Sequence, residues 1–301
     1  MPPDAGRVAI LNGFGRSLGD SIIGVQALAA AVRLGALPAA PVLFRLPGLP
    51  PMVQGVYRAA ADLCEVRDLP WEHETPGRPF PPAAGFARVI DLRDFAFDPA
   101  FRGIAMIDYF LRALGLDPVA VPPDLRRNAW VAPRVPPARL PWLPARYALL
   151  CPRTSMALRD MPAEIHAECA AALARAGHHV LTQGPPTADA EAAPAPEDFP
   201  GLSALVAGAG LMVSADTAMP HLADAYGVPC LTFFTTHRPE WRTRDYPLAR
   251  SVRLPVAGLP EALEFARGPE DAAAARAAWF ADPAALCSAV RAFAMGLRAS
   301  S

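Results

Sequence analysis

Short apolar runs alternate with longer amphipathic segments along most of the chain. Such runs predict buried β-strands, and they lie at residues 7–11, 41–45, 64–66, 88–92, 147–151, 178–182, 211–213 and 230–234. The segments between them place apolar residues three and four positions apart, as residues 104–114 do, and this spacing predicts helices. Strands that alternate with helices form parallel sheets, so the pattern predicts an α/β fold.

The proline-rich residues 117–146 divide this pattern into two halves. Eight prolines fall in this interval, and such segments are typical of domain boundaries. A chain of 301 residues also has about the length of two ordinary domains. We therefore predict two α/β domains, residues 1–140 and 141–301, with a cleft between them. Residues 184–200 are predicted to be a loop, and the last helix, residues 283–297, is expected to pack back on the N-terminal domain.

Composition and charge exclude several classes of partner. The net charge is −1, so we expect no nucleic-acid partner. Every basic residue is arginine, so a site for phosphate must use arginine or backbone amides. The five cysteines show no CxxC spacing and predict neither a zinc site nor a disulfide framework. We see no basic-then-apolar leader and no run of about 20 apolar residues, and we therefore expect a cytoplasmic location.

Residues 213–229 give the clearest indication of a binding site. They read as the end of a strand, a turn, a short helix capped by Gly227, and the approach to another strand. Asp216 and Thr217 follow the strand, and His221 comes one helical turn later. Ligands of parallel sheets bind beyond the carboxyl ends of strands, so these groups predict a site for a polar ligand. The alternative is a capping turn beside a histidine of the core.

Two further groups have both a chemical and a structural interpretation. Thr154, Ser155 and Arg159 lie between a strand and a helix, where hydroxyls, an arginine and helix amides suit a phosphate. They also fit an ordinary Ser/Thr turn with a surface arginine. Asp20 opens the first helix, either as a general base or as a charge favoured by the helix dipole. Residues 240–242 could form a loop salt bridge or a ring platform for a base or sugar.

Three stretches resemble motifs of one family. Ser17 to Asp20 is similar to a family motif S-x-G-D, and residues 154–162 to T-T-x-x-x-K-x-W-P, with Arg159 at the lysine position. Residues 214–223 are similar to S-x-D-T-G-x-x-H-x-A. The order and spacing agree, so residues 7–255 resemble the ADP-heptose:lipopolysaccharide heptosyltransferases, glycosyltransferase family 9.

The resemblance implies a fold, a reaction and a set of site residues. It implies the GT-B fold, two Rossmann-like domains facing a central cleft, with an N-terminal acceptor-side domain and a C-terminal domain for the nucleotide sugar. The expected reaction is metal-independent, inverting transfer of a sugar from a nucleotide-diphosphate donor, ADP-heptose above all, to a glycan or lipopolysaccharide-type acceptor. No cofactor is expected beyond this co-substrate. Peripheral contact with the cytoplasmic face of the inner membrane is also implied.

Asp20 is implied as the catalytic base of this reaction. The implied donor-binding residues are Thr154, Ser155, Arg159, Asp216, Thr217, Ala218 and His221.

The chain departs from the family at several positions. Ala218 replaces a glycine, Gln26 stands where the family usually has proline, and residues 235–239 replace F-G-x-T-x-P. These departures leave an alternative open, a GT-B-shaped nucleotide-sugar-binding protein without turnover. A third class, an epimerase of nucleotide sugars, has no supporting motif.

Overall fold

The computed structural model describes residues 4–38, 40–70, 79–80, 85–260, 263 and 265–298. The chain divides into two compact units. The N-terminal unit is Met1–Pro136 with Glu197–Phe199, and the C-terminal unit is Pro137–Pro196 with Pro200–Ser301. The main division therefore falls inside the proline-rich interval.

The N-terminal unit is built on a parallel sheet. Its elements in chain order are β1 (Val8–Leu11), α1 (Leu18–Arg33), β2 (Val42–Arg45), α2 (Pro51–Ala59), β3 (Glu65–Asp68), β4 (Arg88–Asp91), α3 (Met106–Ala113) and α4 (Val131–Arg134). The described strands run in the order β3-β2-β1-β4 and pair in parallel. Strands β1 and β2 are buried along their whole length, which is why they read as continuous apolar runs. The order 3-2-1-4 is that of a Rossmann half-fold.

Buried polar groups fasten the segment after α3 to α1. The Gln26 side chain, only 3% exposed, donates through Nε2 to the Leu125 carbonyl at 2.7 Å. The Trp130 indole donates to the Ile22 carbonyl at 3.0 Å. A buried amide is stable only when it is hydrogen-bonded, and Gln26 has such a partner. The glutamine at this unusual position therefore has a structural role.

The C-terminal unit is built on a longer parallel sheet. Its elements are β5 (Ala148–Cys151), α5 (Ala163–Arg175), β6 (Val180–Thr182), β7 (Glu191–Ala192), α6 (Phe199–Ala207), β8 (Leu211–Ala215), α7 (Met219–Tyr226), β9 (Cys230–Phe234), β10 (Ala249–Arg253), α8 (Pro269–Ala278) and α9 (Pro283–Arg298). The strands run in the order β10-β9-β8-β5-β6-β7, and all pairs are parallel. Counted within the unit, this is the Rossmann order 3-2-1-4-5-6 read from β7 to β10. The short β7 lies inside the segment predicted as a loop, and β10 was not predicted.

The last helix completes the core of the C-terminal unit. Leu286, Val290 and Phe293 of α9 are buried with Trp279 and Leu173 in one apolar cluster. Their spacing places them on one face of the helix, and α5 and the sheet cover that face. These contacts assign the buried face of α9 to the C-terminal unit, and packing of this helix back on the N-terminal domain stays a prediction.

No single helix among the described residues is long and apolar enough to cross a membrane. Helices α8 and α9 meet that test only as a pair bent by 57°, by length and composition alone.

Candidate functional site

The order of strands in the C-terminal unit marks one place for a ligand. The chain builds β5, β6 and β7 towards one side of the sheet and β8, β9 and β10 towards the other. Neighbours β5 and β8 therefore form the switch point, where Rossmann-like sheets bind ligands. Cys151 is in register with Ser214, so the loops after both strands leave the sheet together. All seven donor-binding residues predicted from the sequence follow these two strands: Thr154, Ser155, Arg159, Asp216, Thr217, Ala218 and His221.

The loop after β5 is held by its own side chains. The Thr154 amide donates to Asp160 Oδ1 at 2.7 Å. The Thr154 hydroxyl accepts from the Met156 amide at 3.0 Å and donates to the Met156 carbonyl. Its hydroxyl thus forms a local turn, as the structural interpretation of this segment predicts, while Ser155 is exposed. Among these three residues, Arg159 reaches the loop after β8, because its guanidinium lies 3.6 Å from Asp216.

Asp216 lies at the centre of a buried charged cluster. Its Oδ2 is 2.6 Å from His237 Nδ1 and 3.6 Å from an Arg159 guanidinium nitrogen, and its side chain is 6% exposed. Burial alone would raise the pKa of this carboxyl, but the positive charges of Arg159 and His237 and the His237 hydrogen bond hold the pKa well below its ordinary value. The positive charge of Arg242 adds to this effect. Asp216 is therefore an ionised carboxylate surrounded by cationic side chains.

His221 has a different environment from that cluster. It lies in the first turn of α7, is 4% exposed, and its Nδ1 is 2.8 Å from the Tyr246 hydroxyl. Burial lowers the pKa of His221 to about 4, although the nearby Asp216 carboxylate acts in the opposite direction. The imidazole is therefore neutral near pH 7. His221 is thus buried and hydrogen-bonded, as expected of a core histidine. It lies next to the predicted ligand position.

The turn between β8 and α7 explains the alanine at the family's glycine position. Ala218 has φ −68° and ψ −17°, a right-handed conformation open to any residue. The local backbone therefore does not require glycine. At the other end of α7, Gly227 has φ +67°, which confirms the predicted glycine cap.

Three residues of this site lie outside the sequence-predicted set: His237, Arg242 and Tyr246. The first belongs to the segment that follows β9, which is parallel to β8 and next to it. The rule that led to Asp216 also applies to the end of β9, so this signal could have identified His237. Tyr246 gives no comparable signal, because its contact with His221 depends on the folded course of residues 235–248.

Asp20 lies in the N-terminal unit, in the first turn of α1 and after β1. Its amide donates to the Ser17 hydroxyl at 3.2 Å, and Ser17 is the N-cap of the helix. Its carboxylate lies near Gly15, since a Cβ placed on that glycine would be 3.2 Å from Asp20 Oδ2. Both interpretations of Asp20, a dipole-stabilised charge and a reactive base, fit this position.

The loop that precedes Asp20 has an unusual backbone. Phe14 has φ +69° and Asn12 φ +49°, and a left-handed conformation is rare for a bulky side chain. The buried Arg45 guanidinium holds this loop by donating to the carbonyls of Gly13 and Gly15 at 2.5 and 2.6 Å. Strained backbone held by its surroundings often occurs at functional sites, so the geometry of this loop adds to the case for a role of Asp20.

The N-terminal unit also contains a cavity of about 630 Å³ beside α2. Its lining includes Arg45, Gln54, Tyr57 and Arg58. The Arg45 guanidinium lies 4.0 Å from the centre of the Tyr57 ring, and Arg58 is exposed. The cavity thus combines an aromatic ring with cationic side chains and with the acidic side chains of Glu65 and Asp68.

Within the described ranges, no group of three or more histidine, cysteine, aspartate or glutamate side chains is arranged to hold a metal ion.

Comparison with known proteins confirms the family resemblance. Residues 131–268 match the family model described as glycosyltransferase family 9 (heptosyltransferase), and this interval contains the second and third motifs. No curated protein matches the chain significantly. Residues 131–268 are therefore similar in sequence to glycosyltransferase family 9.

Solved structures show the same fold over most of the chain. E. coli heptosyltransferase WaaC with ADP-2-deoxy-2-fluoro heptose is 18% identical with a TM-score of 0.55, over 82% of this chain and 93% of that one. E. coli ADP-heptose lps heptosyltransferase II is 12% identical with a TM-score of 0.61, over 98% and 100%. The dodecameric iron-containing heptosyltransferase TibC, in complex with ADP-D-beta-D-heptose, is 15% identical with a TM-score of 0.62, over 100% and 78%; TibC comes from enterotoxigenic E. coli. The prediction of an α/β GT-B fold made of Rossmann-like units is thereby confirmed.

Proposed function

We propose that this chain is an inverting glycosyltransferase that moves a sugar from a nucleotide-diphosphate donor to a glycan or lipopolysaccharide-type acceptor. ADP-heptose is the first candidate donor, because two of the similar solved structures hold ADP-heptose or a fluoro analogue of it. One observation carries the proposal. Arg159 and the Asp216 turn occupy the ligand-binding switch point of a Rossmann-like sheet.

The charges at this switch point suit a leaving diphosphate. Arg159 supplies a guanidinium, the side chain that best matches phosphate geometry, and it is 12% exposed. Helix α7 begins directly after the Asp216 turn, so the positive end of its dipole favours an anion there. A nucleoside diphosphate released from the donor would gain stabilisation from both groups as its charge develops.

We assign the proton transfer to Asp20. Its carboxylate would take the proton of the acceptor hydroxyl as that oxygen attacks the anomeric carbon. The acceptor is assigned to the N-terminal unit, where the cavity beside α2 offers an aromatic ring with cationic and acidic side chains. We propose transfer without a metal ion or further cofactor, in the cytoplasm and with peripheral contact at the inner membrane.

Calorimetric titration of the full chain with ADP tests the donor assignment. We expect saturable binding, weakened at least about tenfold by Arg159→Gln, which corresponds to ~1.4 kcal/mol. Arg175→Gln is the matched control, because Arg175 is an exposed arginine of the same unit in the last turn of α5, and it should bind ADP like the wild type. Absence of binding at millimolar ADP, or equal affinity in the Arg159 variant, would contradict the assignment. Binding without release of ADP from ADP-heptose in the presence of acceptor would favour a binding protein.

A further inference from the structure

The segment after β9 lies against the predicted donor site. Strands β8 and β9 are parallel neighbours, with Ala215 in register with Phe233. Asp216 and the segment Thr235 to His237 therefore leave the sheet at the same edge. All three residues of the segment are buried, at 5%, 2% and 1% exposure in chain order. None of them belongs to the donor-binding set predicted from the sequence.

The geometry fixes how His237 meets Asp216. At 2.6 Å from a carboxylate oxygen, Nδ1 must carry a proton, because two lone pairs would repel at that distance. Nδ1 therefore donates to Asp216, and Arg159, 3.4 Å from the same nitrogen, is an electrostatic neighbour of the ring. A carboxylate on Nδ1 sets the orientation of an imidazole, and Nε2 of a doubly protonated ring can donate to a ligand oxygen.

This arrangement leaves Asp216 unsuited to contact a diphosphate directly. Its carboxylate is negative and buried, and Oδ2 already has His237 and Arg159 beside it. A diphosphate next to it would be repelled. The carboxylate can instead hold the Arg159 guanidinium and the His237 ring at the switch point, in a chain that has no lysine for this purpose.

The two threonines give independent evidence of a ligand. The Oγ1 atoms of Thr235 and Thr236 are buried, and neither has a hydrogen-bond partner within the part of the chain that the structure describes. Buried hydroxyls are normally satisfied, and leaving one unpaired is costly. Two such donors in sequence, next to a cationic cluster, match the acceptor oxygens of a phosphorylated ligand.

We propose that Thr235, Thr236 and His237 bind the diphosphate of the nucleotide donor, and that Asp216 is the positioning residue that orients His237 and Arg159. This inference rests on the proposed function and extends its donor site to the end of β9. The ligand class is a nucleoside diphosphate, alone or bearing a sugar.

Two substitutions separate ligand binding from a structural role. His237→Gln should weaken ADP binding at least about tenfold, while binding of adenosine, which lacks phosphate, should change less than about twofold. Thr236→Val keeps the shape and removes an unsatisfied hydroxyl, so stability to urea should be unchanged or higher while ADP binding weakens. His179→Gln is the control, because His179 precedes β6 and lies beside Glu191. In a double-mutant cycle, the losses from Asp216→Asn and His237→Gln should not add, since the carboxylate acts partly through the ring.

The outcomes distinguish this inference from the proposed function. If wild-type protein binds no ADP, the donor assignment itself fails. If wild-type protein binds ADP and both His237→Gln and Thr236→Val bind it equally well, the donor site stands and this extension is wrong. Equal losses of ADP and adenosine binding in His237→Gln would also overturn it, because they would indicate a structural defect.

Discussion

Replacing Asp216 by alanine should destabilise the C-terminal unit by about 3–5 kcal/mol, the usual cost of removing one partner from a buried ion pair. The structure supports a value in this range. The Asp216 side chain is 6% exposed, and its nearest cationic partners, His237 and Arg159, lie at 2.6 and 3.6 Å. At an effective dielectric constant of ~20, a unit charge pair at the longer distance is worth about 4–5 kcal/mol. The alanine variant leaves both partners without that carboxylate.

Hydrogen exchange measured by mass spectrometry can follow this loss in one unit at a time. Amides of β8 and β9 should exchange faster in Asp216→Ala, while amides of β1 in the N-terminal unit provide an internal reference. Glu191→Ala is the matched control, because its pairing with His179 at 3.7 Å is exposed and worth less than about 1 kcal/mol. If both variants lose the same small amount, the buried cluster does not stabilise the unit, and the reasoning is refuted.

Three further predictions follow from single groups. Asp20→Asn should lower turnover by about 10²–10⁴-fold, the usual contribution of a general base, with ADP affinity unchanged; normal turnover in that variant would make Asp20 structural. Because the pKa of His221 is lowered to about 4 by burial, its contribution to stability is complete above about pH 6.5 and is lost as the pH falls towards 4; urea denaturation of wild type and His221→Gln should show this slope in wild type alone. Gly24→Ala should cost about 1–3 kcal/mol, because the added Cβ would lie 1.9 Å from the Phe14 ring; Gly103→Ala, with open space around it, should cost less in the same denaturation assay.

The sequence predicts the sheet cores because their strands are apolar on both faces. Strand β9 was predicted with the bounds that the structure shows, and its residues are all buried. Strand β10 was not predicted because it is a partly exposed edge strand with arginines at 250 and 253, so it has no apolar run. Strand β7 has only two residues, both exposed, and its position depends on pairing with β6. A long-range pairing of that kind leaves no local pattern.

The sequence indicates which loops contain the candidate site residues, but only part of the contacts that these residues make. The family resemblance assigns Asp216 and Arg159 to one donor site, and both follow strands that are neighbours in the sheet. The partnership of Asp216 with His237 requires the β8–β9 register, and that of His221 with Tyr246 requires the path of a long connection. The assignment of Thr154 as a phosphate contact did not foresee that its hydroxyl closes a local turn. Local motifs thus indicate which loops contain candidate site residues. The hydrogen bonds and ion pairs of these residues depend on the folded structure.

Protection from hydrogen exchange on adding ADP tests the central claim most directly, since it reports where the nucleotide binds. We predict slower exchange in three segments that surround the switch point, residues 154–161, 214–222 and 235–238, with little change in β1 and β2. Protection confined to the N-terminal unit, or none at saturating ADP, would contradict a nucleotide-diphosphate site built on Arg159 and the Asp216 turn.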